Sequence, residues 1–241
     1  LSIKNLSVSV EETEIIHELS LEIQKGEVHV IMGPNGSGKS SLANALMGHP
    51  SYTVSGSVML DGIEITELSP EDRARAGLFL SMQYPPEIAG VSMVNFLRTA
   101  IEEKTGEKQK PVPFFKKTEE LLETLGMDKD FAQRSLNAGF SGGEKKRAEI
   151  VQLLALNPTY AILDETDSGL DVDGLSIVAK GIERFRSKEH GILLITHYNR
   201  LPSLVVPDMV HIMVNGKIVK SGGAGLAKQV EHSGYKEYVI E

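Results

Sequence analysis

The first ten residues, LSIKNLSVSV, alternate apolar and polar positions, and residues 19–23 (LSLEI) repeat the alternation. A period of two belongs to strands with one buried face, so both stretches predict antiparallel strands covering one side of a sheet. Residues 27–32 (EVHVIM) instead run apolar into a glycine-rich loop, as a strand buried on both faces does. A helical pattern, SSLANALM, begins at Ser40 and is stopped by Gly48. Helical periodicity dominates from about residue 93 to 126, with a break at KPVPFF. With the stretch that follows, this block predicts a helical insertion over roughly residues 91–156 of a single domain spanning 1–241. Residues 160–165 (YAILDE) and 191–197 (GILLITH) are apolar runs that end in polar residues. That is the pattern of parallel strands presenting functional groups at their carboxyl ends, and it makes the fold α/β. Near the end, VHIMVNGKIVKSG sets Asn215-Gly216 between two alternating runs, which predicts a hairpin.

Composition narrows the function. With 241 residues and 41% hydrophobic content, the chain can bury a sizeable core. Its net charge of −8 argues against wholesale nucleic-acid binding, which needs a dominant basic face. Lys145-Lys146-Arg147 and the lysines of residues 108–117 remain as local basic clusters, the second of them a solvated surface. The chain has no cysteine, which excludes disulfides, thiolate catalysis and thiolate metal ligation and suits a reducing compartment. No apolar run approaches the ~20 residues of a membrane-spanning helix. The first residues read as a strand rather than a signal or transit peptide, so the expectation is a cytoplasmic protein whose membrane role, if any, comes through a partner.

The strongest chemical signal is Gly33-Pro34-Asn35-Gly36-Ser37-Gly38-Lys39-Ser40, a G-x-x-x-x-G-K-[ST] loop placed after a strand and opening a helix. Its glycines let backbone N–H groups turn inward around phosphates, where the helix dipole also favours negative charge. Lys39 would reach the β- and γ-phosphates, and the Ser40 hydroxyl would ligate Mg²⁺. The carboxylates of Asp164 and Glu165 follow an apolar strand, Asp164 suited to Mg²⁺ and Glu165 to orienting or deprotonating a water. His197, at the end of a third strand, is suited to a γ-phosphate contact. A second stretch, Phe140-Ser141-Gly142-Gly143-Glu144, has the spacing of a capping box. Two glycines in a first turn weaken a helix by up to ~1 kcal/mol each, and a plain cap gains nothing from them. They make sense where a ligand approaches the backbone. The chain's own loop already encloses a nucleotide, so the economical arrangement is a head-to-tail dimer in which each Ser141-Gly142-Gly143 tip covers the ATP of the other copy.

These motifs together resemble the ATP-binding-cassette ATPases over essentially the whole chain. Residues 33–41, Ser41 included, look like the Walker A loop, Gln83 the Q-loop glutamine, and residues 140–144 the signature. Residues 160–165 look like Walker B with the catalytic glutamate, 168–171 the D-loop, and His197 the switch histidine. The resemblance implies a P-loop fold with a RecA-like core, an antiparallel β-subdomain and a helical subdomain carrying the signature. It implies ATP and Mg²⁺ as cofactors, with Ser40, Gln83 and Asp164 toward the metal. Within that family FSGGEKKR, DETDSGLD, THYNR and QYPPEIAGVS are most similar to the SufC group, which serves iron–sulphur cluster assembly. That implies SufB- and SufD-type scaffold partners, with no nucleic acid and no direct membrane insertion, and the contact is expected near residues 83–92, which Gln83 couples to the γ-phosphate. The nucleotide-binding subunit of a membrane transporter is the competing expectation. Two positions depart from the general cassette pattern. Val10 stands where an aromatic residue commonly stacks on adenine, and Thr166-Asp167 stands where Pro-Thr is usual in the D-loop.

Overall fold

A computed structural model of the chain describes residues 1–238. Along the chain come β1 (Ser2–Val10), β2 (Thr13–Glu22), β3 (Val28–Met32), α1 (Lys39–Met47), β4 (Tyr52–Leu60), β5 (Ile63–Glu64), α2 (Pro70–Arg75) and β6 (Leu78–Ser81). Then follow β7 (Ile88–Ser92), α3 (Met93–Thr105), α4 (Pro111–Thr124), a short 3-10 turn at Lys129–Ala132, β8 (Ser135–Leu136) and α5 (Gly142–Leu156). The last elements are β9 (Tyr160–Asp164), α6 (Val172–Phe185), β10 (Gly191–Ile195), β11 (Met209–Val214), β12 (Lys217–Gly222) and α7 (Gly225–Ser233). The chain divides into two compact units, one of Leu1–Leu80, Pro158–Glu165 and the segment from Arg186 onward, the other of Ser81–Asn157 and Thr166–Phe185.

The first unit holds two sheets. One is antiparallel, in the order β2-β1-β4-β5, and the other runs β12-β11-β3-β10-β9-β6. In the second sheet β3 pairs in parallel with β10 and β11, and β10 in parallel with β9. Every residue of β3, β9 and β10 is buried, which explains why their sequences show apolar runs rather than alternation. Leu42, Ala43, Ala45 and Leu46 of α1 pack into one core with Ile3, Leu6 and Val58 of the first sheet and Ile31, Ile162 and Leu193 of the second. A nine-residue helix is too short to persist alone in water, so this burial holds α1 in place. Its far end is held by Arg73, a buried guanidinium that donates to the carbonyls of Ala45 and Leu46 at 2.9 and 2.7 Å and to Leu68 at 2.9 Å. Gly48 leaves the room, since a Cβ there would meet Arg73 Nε at 2.8 Å.

The second unit is mainly helical. Residues 91–156 fall within it, and so does α6. Helices α5 and α6 cross closely at Gly181, where a Cβ would meet Ile150 Cγ2 at 2.4 Å. A two-stranded ladder of β7 and β8 belongs to the same unit.

Three features differ from the sequence expectation. Strand β2 starts at Thr13, well before LSLEI, because Glu18 has φ 48° and the β1–β2 register shifts at bulges. The extra residues spoil the two-residue period that would have announced the strand. The break at KPVPFF is instead a start. Pro111 occupies the first turn of α4, where a missing N–H costs nothing, and the real interruption spans 106–110. Strand β4 was not anticipated; its alternation is interrupted at Gly56, whose φ is 100°.

Candidate functional site

Three strands of the first unit end side by side. Loop 33–38 follows β3, Asp164 and Glu165 close β9, and His197 lies just beyond β10. Carboxyl ends of neighbouring parallel strands are where α/β sheets bind ligands. The loop is seated tightly, for a Cβ on Gly33 would sit 2.1 Å from the Met213 carbonyl oxygen of β11. Gly36 and Gly38 take φ of 79° and 98°, which turns the backbone into a concave path. Its outer side is tied to the β11–β12 hairpin, whose Gly216 N–H donates to the Ser37 carbonyl at 3.0 Å. Gly38 sits at the N-cap of α1 with no side-chain cap, so the first-turn N–H groups of the helix are not taken up by a capping side chain.

Lys39 is buried, and its Nζ donates to the Gly33 and Pro34 carbonyls, each at 2.9 Å. Burial pulls its pKa down, opposed by the nearby charges of Glu165 and Asp164. The lysine therefore lies within electrostatic reach of both carboxylates. Asp164 is 2% exposed. Glu165 takes φ 49°, its amide donates to the Ile195 carbonyl at 2.9 Å, and its Oε1 stands 3.3 Å from His197 Nδ1. The His197 ring lies 3.9 Å, centroid to centroid, from that of Tyr198. Lys39, Ser40, Asp164, Glu165 and His197 thus belong to one unit at the carboxyl end of one sheet, with Pro34, Asn35, Ser37 and Ser41 in the loop or the first turn of α1.

A magnesium ion fits the chemistry of these donors. Ser40 and Asp164 offer hard oxygen atoms, and Mg²⁺ is held through one or two carboxylates plus substrate phosphates. Among the described residues no cluster of three or more His, Cys, Asp or Glu side chains could hold a metal without such help.

Gln83, Ser141, Gly142 and Gly143 lie in the second unit. Ser141 caps α5 in a reciprocal box with Glu144: its amide donates to Glu144 Oε2 at 2.7 Å and its Oγ accepts from the Glu144 amide at 3.3 Å. Neither following glycine is required by the fold. A Cβ on Gly142 would meet nothing within 4 Å, one on Gly143 would make only ordinary contact with Leu170 at 3.5 Å, and neither has positive φ. Their backbone is bare without a packing reason. Two residues that sequence reasoning missed support the glutamine segment. Lys146, buried in α5, donates to the Met82 and Gln83 carbonyls at 3.0 Å. Glu149 accepts from Ser81 Oγ at 2.7 Å and from the Met82 amide at 2.8 Å. Their sequence signal was a charged pair at i,i+3 pointing the same way as the apolar residues of α5.

The strand–glycine loop–helix unit, with lysine and serine in register and an Asp-Glu pair on a neighbouring strand end, defines a P-loop nucleotide-binding cassette. Comparison with known proteins takes this further. The family model described as ABC transporter matches residues 16–168. The chain is 53% identical over 238 residues to Vegetative protein 296 of Bacillus subtilis, covering 98% of this chain and 91% of that one. It is 52% identical over 240 residues to the probable ATP-dependent transporter ycf16 of Cyanophora paradoxa, covering 98% and 93%. A solved nucleotide-free ATP-binding cassette from an ABC transporter superposes with TM-score 0.77 at 25% identity, covering both chains fully. A dimeric cassette in a post-hydrolysis state bound to ADP and Pi superposes with TM-score 0.80 at 20% identity, over 92% of this chain and 98% of that one. The chain belongs to the ABC transporter family, and it is an ABC-type ATPase that uses ATP with Mg²⁺.

Proposed function

We propose that the chain is the ATPase subunit of a SufB/SufD-type iron–sulphur cluster assembly complex, and that it hydrolyses ATP as a head-to-tail dimer. The observation that carries the dimer is the bare backbone at Gly142 and Gly143, which the chain's own packing does not require. A dimeric form bound to ADP and Pi in a related cassette supports the same reading. In this mechanism Lys39 exchanges the Gly33 and Pro34 carbonyls for the β- and γ-phosphate oxygens. Ser40, Asp164 and Gln83 would hold Mg²⁺, which would neutralise charge building on the phosphates. Glu165 orients and deprotonates the attacking water, and His197 contacts the γ-phosphate while its Nδ1 stays beside Glu165. Ser141, Gly142 and Gly143 of the second copy close over the same phosphates. Opening and closing of the dimer then moves proteins bound to its surface, with residues 83–92 as the contact.

The assembly role rests on the stretches FSGGEKKR, DETDSGLD, THYNR and QYPPEIAGVS. A transporter subunit is the second reading, favoured by relatives named probable ABC transporter ATP-binding proteins in Streptococcus pyogenes. Among the described residues no helix is long and apolar enough to cross a membrane. Affinity purification from native lysate separates the two: SufB- and SufD-type proteins support the first, and an integral membrane protein in their place overturns it. For the chemistry, Glu165→Gln should retain ATP, lose turnover by about a hundredfold or more and accumulate as a dimer. Unaltered turnover in that variant would remove Glu165 from the role of base.

A further inference from the structure

The segment after the last strand reaches back to the ATP site. Helix α7 is anchored on the first unit by Leu226, Ala227 and Val230, all buried. Beyond it, Lys220 of β12 places its Nζ 5.4 Å from the centroid of the Tyr238 ring. Between these two anchors the segment makes two hydrogen bonds to the loop after β10. Asn199, itself buried, donates from Nδ2 to Glu231 Oε2 at 2.8 Å. Tyr235 donates its hydroxyl to the carbonyl oxygen of His197 at 3.3 Å. The phenol oxygen therefore ties the segment to the strand-end loop that carries His197. Burial pushes this hydroxyl up to about 12, so it stays a neutral donor at any working pH.

We propose that Tyr235 is a positioning residue for ATP hydrolysis, its hydroxyl fixing the backbone at His197 and so the approach of the His197 ring to Glu165 and the γ-phosphate. The inference rests on the reading of His197 given above. It makes α7 and the turn after it part of the hydrolytic site rather than a trailing appendage. The distances favour this over simple packing: the ring could fill the same space as phenylalanine, but only the hydroxyl reaches the His197 carbonyl.

The test is Tyr235→Phe in the full chain, alone and combined with His197→Ala, with steady-state ATPase rates, nucleotide affinity and thermal melting measured on each. Losing one such hydrogen bond should lower kcat about fivefold, with nucleotide affinity held within about twofold. Melting should fall by no more than a few degrees, because the ring still packs and one hydrogen bond is lost. In the His197→Ala background the second substitution should cost nothing more, since the group it positions is gone. The inference is overturned if His197→Ala slows turnover while Tyr235→Phe does not, or if Tyr235→Phe costs the same in both backgrounds. If His197→Ala leaves turnover intact, the histidine assignment itself falls, and this inference falls with it.

Discussion

His211 shows how far a single buried side chain can tie stability to pH. Its Nε2 lies 3.0 Å from His29 Nδ1, and its Nδ1 lies 2.7 Å from Ser221 Oγ. His29 in turn contacts Glu27 Oε2 at 3.1 Å through its other nitrogen. Across the 3.0 Å contact one nitrogen donates and the other accepts, so both rings cannot be imidazolium with this geometry kept. Burial, with the His29 charge adding to it, pulls His211 down to about 4 from an ordinary 6.5. His29 is also lowered by burial, against the pull of the Glu27 and Asp208 carboxylates. The sign follows directly. The unfolded chain binds the proton first, so the stability is complete above the ordinary histidine range and is lost as pH falls toward the depressed value. Between about pH 7 and pH 5 the His211 contribution amounts to about 2 kcal/mol of destabilisation. Unfolding free energies from urea titrations at the two pH values should differ by that much in the natural protein and by clearly less in His211→Gln. An identical difference in both proteins would show that His211 is not the titrating group.

At the scale of elements, α5 separates a cap from a ligand site. Ser141→Ala removes the hydroxyl that accepts from the Glu144 amide but leaves the Ser141 amide donating to Glu144. Half of the capping box survives, so the loss of stability should be about 1 kcal/mol or less. Under the dimer mechanism, hydrolysis should nevertheless collapse. Mixing Ser141→Ala with Lys39→Ala should restore turnover, because one composite site then contains an intact lysine and an intact serine. If the mixture stays as inactive as its parents, the shared site is refuted. How readily each element could be read from sequence follows the same local physics. The β11–β12 hairpin was legible because Asn215 and Gly216 both take positive φ, 45° and 75°, as a two-residue turn of that hand demands. The capping box at Ser141 and the buried strands β3, β9 and β10 were legible because period and punctuation agree there. Of β2 only the second half was, because bulges break its period further up. The Lys39 position could be read because it follows the glycine loop and opens α1, and Asp164, Glu165 and His197 because each lies at or just past a strand end. Tyr235 could not, since a tyrosine in a polar tail has no pattern until the fold brings it to His197.

For the molecule as a whole, the phosphate loop is held from behind by the β11–β12 hairpin, and that has a chemical consequence. Asparagine followed by glycine is the pair most prone to succinimide formation, in which the next backbone nitrogen attacks the side-chain amide and expels ammonia. Here that nitrogen belongs to Gly216, and its proton is donated to the Ser37 carbonyl, while the Gly216 carbonyl accepts from the His17 amide at 3.2 Å. Cyclisation therefore requires the turn to let go of the loop. Isoaspartate at position 215 should build up slowly in stored protein, faster after partial denaturation, and more slowly when ATP and Mg²⁺ hold the loop closed. Peptide mapping of aged samples would read this directly, and equal rates with and without nucleotide would show that Ser37 gives no protection. With that protection the chain carries its own chemical clock, one that runs faster while the grip on phosphate is relaxed.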